Sequence, residues 1–144
     1  PNSGETIKLN VTNIKLTVDE KGEVEMFKKV NEERRRLAIQ ELTWRSDLVP
    51  VARSHASDMW ERSYFSHYSP EGKDMGDRLG EAKIKYSFAG ENLAMAPTLT
   101  TAHTGLMNSQ GHRENILEPK YKNMGIGIID NGVYGKMFVQ IFTD

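Results

Sequence analysis

The chain has 144 residues, 19 Lys and Arg against 20 Asp and Glu, and no cysteine. This length suits one compact domain that buries about two thirds of the surface its unfolded form exposes, so a core can hold it without covalent staples. A net charge of −1 gives no overall field for gathering the phosphates of a nucleic acid, and no apolar run approaches the ~18 residues of a membrane span.

The sequence opens at Pro1 without an initiator methionine, as expected of a processed chain whose signal peptide has been removed upstream. Residues 1–22 are rich in Asn, Thr, Lys and Gly and read as a linker or edge strand; the alternation of Ile14, Leu16 and Val18 with polar neighbours predicts one half-buried strand. The folded domain is expected over residues 23–144. From Glu23 the period becomes helical, with Val24, Phe27, Val30 and Leu37 on one face and the run of charges at 32–36 facing mostly outward, to about Ala38. Ser46 or Asp47 can cap a second helix that carries Leu48, Val51, Ala52, His55, Ala56, Met59 and Trp60 inward, and Pro50 is tolerated in its first turn.

A loop is predicted over residues 63–73 and a short helix over 74–81, with Met75 and Leu79 one turn apart. Another helix falls near residues 98–109, with Leu99, Ala102 and Leu106 as its stripe and a break at Gly111. The C-terminus reads as a hairpin, 124–129 and 133–142, joined by Asp130, Asn131 and Gly132, with Asn-Gly supplying the positive φ angles. Helices first and hairpin last point to an α+β fold.

Phosphate loops, paired zinc cysteines and nucleophile elbows are absent, which leaves four histidines. His55 reads as a satisfied core imidazole and His103 as a partly exposed surface residue. His67 and His112 lie in polar, turn-forming segments, Tyr64-Phe-Ser-His-Tyr-Ser-Pro-Glu-Gly72 and Asn108-Ser-Gln-Gly-His-Arg-Glu-Asn115. Between them Glu91 and Asn92 interrupt a small, apolar, strand-like stretch. A carboxylate drawn inward needs partners, so Glu91 is expected to meet imidazoles, a metal, or backbone N–H groups. Asn92 and Asn115 read as amides that satisfy backbone groups, and Ser109 as a helix cap rather than a nucleophile.

These segments, with Val30-Asn-Glu-Glu-Arg34, Leu42-Thr-Trp44, Gly90-Glu-Asn-Leu93 and Met107-Asn-Ser-Gln-Gly-His-Arg-Glu-Asn-Ile-Leu117, resemble the CAP superfamily, also called the SCP domain, and above all its bacterial members. The resemblance spans about residues 23–142. It implies a three-layer α-β-α sandwich with a small, mainly antiparallel sheet and a cleft that often carries two His and two Glu able to bind a divalent metal. Matched residue by residue, His67, Glu91 and His112 supply three of the four. The second acid is missing: Ser109 stands in its place, as Leu106 stands for the tryptophan three residues before.

Two imidazoles and one carboxylate suit zinc with a water in the fourth position, whereas calcium or magnesium would find too few oxygens. A hydrogen-bonded His-Glu-His cluster without metal is the alternative, and both stay open at this point. The resemblance implies a binding or scaffold module outside the cell or at the cell envelope. Its cleft, lined by His67, Glu91, Asn92, Ser109 and His112, would accept a small ligand, peptide, glycan or lipid. A zinc-dependent hydrolase of peptide or cell-wall substrates is the second reading, and an interaction module tethered by its polar N-terminal stretch the third.

Overall fold

The computed structural model describes residues 6–8 and 15–144. In chain order the elements are β1 (Ile7–Lys8), β2 (Thr17–Val18), α1 (Glu20–Arg36), β3 (Thr43–Trp44), α2 (Leu48–Glu61), β4 (Tyr64–Phe65) and α3 (Met75–Glu81). There follow β5 (Ala89–Ala96), α4 (Leu99–Met107), α5 (Gln110–Leu117), β6 (Asn123–Asp130) and β7 (Lys136–Thr143). The sheet runs β2-β6-β7-β5, antiparallel throughout, and β3 joins β6 in parallel. β1 and β4 make a separate antiparallel pair.

Alternation along the strands divides the interior into two cores, one on each face of the sheet. Leu93, Met137, Val139 and Ile141 face α2 and α3, meeting Leu48, Ala52, Met59, Trp60 and Leu79. Ala96, Ile126, Phe138 and Phe142 face the other way, toward Met26 and Val30 of α1, Ala102 and Leu106 of α4 and Ile116 of α5. This is the α+β, three-layer sandwich expected.

Several local expectations change. Asp19 caps α1 by accepting from the Gly22 N–H, so the helix starts at Glu20, before the expected Glu23. Its buried stripe is Glu23, Met26, Val30, Asn31 and Arg34, while Val24 and Leu37 are exposed. Arg34, expected outward within the charge run, is wholly buried. Its guanidinium donates to the carbonyls of Gln40, Ile116, Glu118 and Tyr121 at 2.7–3.3 Å. Glu23 is held by Arg53 at 2.9 and 2.5 Å and accepts from the Ile128 N–H.

The strand expected at 14–18 is only Thr17–Val18, paired with Ile129 and Asp130, and Ile14 lies outside the described residues. At the hairpin Gly132 and Gly135 carry the positive φ, and Asn131 does not; its side-chain oxygen accepts from the N–H groups of Val133 and Tyr134 instead. Gly111 is no break, because it sits in the first turn of α5. His103, read as partly exposed, is buried against α1, where its Nε2 lies 2.8 Å from Glu33.

His55 is a core imidazole, 2% exposed, with Nε2 2.9 Å from the Ser66 carbonyl. A carbonyl only accepts, so Nε2 carries the proton. Burial pushes the ring's pKa from 6.5 down to about 4, outweighing the opposing pull of the Glu91 charge. As pH falls below about 6.5 the unfolded chain takes up this proton and the folded chain does not, so stability drops until about pH 4 and then levels. The loss amounts to about 3 kcal/mol. Urea unfolding of wild type and His55→Gln across that range should show a steeper slope in the first than in the second, where His112 still contributes; equal slopes would place the acid sensitivity elsewhere.

Candidate functional site

The cleft lies at the free edge of β5, a strand that pairs only with β7 among the described residues. Glu91 and Asn92 are adjacent on β5 and therefore point to opposite faces of the sheet. Glu91 shares the parity of Leu93 and faces the α2 and α3 layer, while Asn92 shares that of Ala94 and faces α4 and α5. His67 arrives on the loop between β4 and α3. His112 stands in the first turn of α5, a helix where a polar loop was expected.

His67, Glu91, Asn92, Ser109 and His112 line one cleft of about 380 Å³, together with Tyr68, Asp74 and Asn115. Their partners divide them into two groups. Glu91 accepts from His67 Nδ1 at 2.8 Å and from both terminal nitrogens of Arg78 at 2.6 and 3.2 Å. Arg78 also donates to the His67 carbonyl at 2.7 Å. Burial alone would raise the Glu91 carboxyl, but the His67 hydrogen bond and the Arg78 guanidinium overcome it and bring the pKa down to about 2. The residue is ionised at neutral pH.

On the other face, His112 Nδ1 lies 2.8 Å from the Ser109 hydroxyl. Ser109 does occupy the N-cap position of α5, yet its side chain makes no capping bond because it turns to this imidazole. Asn92 donates to the His112 carbonyl at 3.0 Å and to Gln140 at 3.1 Å, and Asn115 donates to Asn92 at 2.9 Å. This amide chain ties α5 to β5. Burial, with His67 close by, lowers the pKa of His112, which leaves that ring neutral near pH 7.

A carboxylate cannot donate, so His67 Nδ1 does; in the neutral form of the ring Nε2 then carries the lone pair. Neither His67 Nε2 nor His112 Nε2 has a hydrogen-bond partner among the described residues. The cleft thus offers, among the described residues, an unpaired ring nitrogen on each of two faces, with amide groups between them and its one buried acid already neutralised.

The zinc set expected of His67, Glu91 and His112 does not fit this arrangement. Among the described residues no three His, Cys, Asp or Glu side chains gather where they could share a metal ion. Both Glu91 oxygens are taken by donors, and the His67 nitrogen nearest them carries a proton. Ser109, at the fourth position, adds no carboxylate. Arg78 went unnoticed in the sequence. The signal was available: an acid inside an apolar strand requires a cation, and Arg78 precedes Leu79, the one core residue of α3.

A sandwich of this topology, with a polar cleft across its edge strand formed from these sequence segments, defines a class. A profile of CAP, the cysteine-rich secretory protein family, matches residues 27–142. The chain is 33% identical to YkwD of Bacillus subtilis over 111 residues, 76% of this chain and 43% of YkwD. It superposes on an extracellular protein containing an SCP domain from Bacillus anthracis with a TM-score of 0.76 at 35% identity, over 85% of this chain and 40% of that one. An outer surface protein from Borrelia burgdorferi matches with a TM-score of 0.84 over 92% of this chain and 98% of that one, and at 19% identity it shares the fold alone. The chain belongs to the CAP family. It spans less than half the length of YkwD and of the Bacillus anthracis protein.

Proposed function

We propose that this domain is a binding module acting outside the cell or at the cell envelope. Its cleft takes a polar glycan or peptide segment through hydrogen bonds. The carrying observation is the pair of imidazoles on opposite walls of the 380 Å³ cleft, each fixed at Nδ1 and, among the described residues, unpaired at Nε2. A ligand hydroxyl or amide N–H suits the lone pair of His67 Nε2. Asn115 and Asn92 hold the wall between them. The extracellular description of the Bacillus anthracis protein supports the location. No described helix is long and apolar enough to cross a membrane. A zinc-dependent hydrolase has no gathered ligand set among the described residues on which to run.

Titration of the isotope-labelled protein with chitooligosaccharides, muropeptides and unstructured peptides tests this by NMR. The expected result is saturable shifts at residues 67, 91, 92, 112 and 115 for one of the panels. His67→Ala should weaken that binding about tenfold, the value of one or two lost hydrogen bonds in a desolvated site. Shifts that map to another surface, or that survive in both His67→Ala and His112→Ala, would overturn the reading.

A further inference from the structure

Glu91 is the most buried acid of the cleft, its side chain 3% exposed, and a cation must accompany it. The cation present is a guanidinium. Arg78 reaches both carboxylate oxygens, at 2.6 and 3.2 Å, and the same side chain donates to the His67 carbonyl at 2.7 Å. One group therefore neutralises the acid and ties down the loop that carries the imidazole. A divalent ion bridging an acid and an imidazole would do the same two things.

We propose that Arg78 is the built-in cation of this cleft, occupying the place at Glu91 that a divalent metal would need, so that the domain works without metal. Three features carry it. The fork of Arg78 takes one lone pair on each oxygen and His67 a second on one of them, three of about four acceptor sites. His67 turns a protonated Nδ1 toward the acid, so an ion held at the Glu91 oxygens would find no lone pair on the ring nitrogen that faces them. A guanidinium stays charged at any pH a protein experiences, so unlike lysine or histidine it cannot yield to an incoming ion by losing its proton. A second cation would have to sit beside the first and expel it. The inference goes beyond the ligand reading and stands whether the cleft takes a glycan, a peptide or neither.

The test is calorimetric titration of the folded domain with zinc chloride, beside thermal melting with and without zinc. Wild type should show no stoichiometric binding and no shift in melting temperature. Arg78→Gln, which frees the carboxylate and permits the His67 ring to turn, should bind one zinc at least about tenfold more tightly than wild type and melt higher in its presence. That gain should vanish in Arg78→Gln combined with Glu91→Gln. Arg78→Lys separates charge from support: it loses the fork, yet it keeps a positive charge that an incoming ion must first displace or deprotonate, so it should bind zinc more weakly than Arg78→Gln. A purely structural arginine would give the same zinc response in the Gln and Lys variants, and that result would overturn the proposal. So would a wild type that binds one zinc and loses it in Glu91→Gln, a comparison that decides the matter even if no Arg78 variant folds.

Discussion

Arg34→Met is expected to lower the free energy of unfolding by about 4 kcal/mol, a large share of the roughly 5–15 kcal/mol that holds a domain of this size together. The methionine has nearly the length of the lost stem, so little packing volume goes. What goes is the donor set. Four carbonyls, those of Gln40, Ile116, Glu118 and Tyr121, turn toward one guanidinium in the space where the end of α1, the end of α5 and the start of β6 converge. Without it the carbonyls of Ile116 and Tyr121 lie buried and unpaired, each at a cost of roughly 1–3 kcal/mol before relaxation, the part-buried carbonyl of Gln40 loses its donor, and that of Glu118 keeps only the Tyr121 N–H at 3.3 Å. Arg34→Lys should recover less than half, because an ammonium has three donors at one point and cannot span the four oxygens. Urea denaturation measures both. A methionine variant within about 1 kcal/mol of wild type would mean that water reaches the carbonyls and that the cluster is not sealed.

Gly127→Ala should cost about 3 kcal/mol or prevent folding, whereas Gly80→Ala should be neutral or stabilising by about 0.5–1 kcal/mol. The two glycines look alike in sequence. A methyl group on Gly127 would run into the backbone nitrogen of Arg53 and the carbonyl carbon of Ala52, and one on Gly125 into Leu48, because α2 lies directly on β6. Backbone cannot rotate aside as a side chain can. At Gly80, in the last turn of α3, a methyl meets nothing within 4 Å. Melting temperatures of the two variants should move in opposite directions. Equal effects would show that α2 can lift from the sheet at no cost.

The contrast between these glycines marks what could be read from the sequence and what could not. Periodicity located α2 and the apolar stripe of α4, and the Asn-Gly turn located the hairpin, since each is a local pattern with one physical meaning. It misread α1. Apolarity alone selected Val24, Phe27 and Leu37, while the buried stripe runs through Glu23 and Arg34, which are internal only because Arg53 and four carbonyls await them from distant segments. The same rule governs the cleft. That Glu91 needed a partner followed from its apolar setting, but the identity of that partner depended on α3 folding over β5. Ser109 shows the limit of local inference: its position as a cap is fixed by the chain around it, and the direction of its hydroxyl by His112 one turn on.

The two rings of the cleft hang from different helical layers, His67 on the side of α2 and α3 and His112 on that of α1, α4 and α5, with a single edge strand between them. A molecule that touches both rings therefore acts as a rivet across two separate hydrophobic interiors. Its affinity enters the cohesion of each, and the layers can no longer shear past one another at that margin without first releasing it. Occupancy should slow amide exchange as much around Leu79 as around Ile116, two residues that belong to different cores.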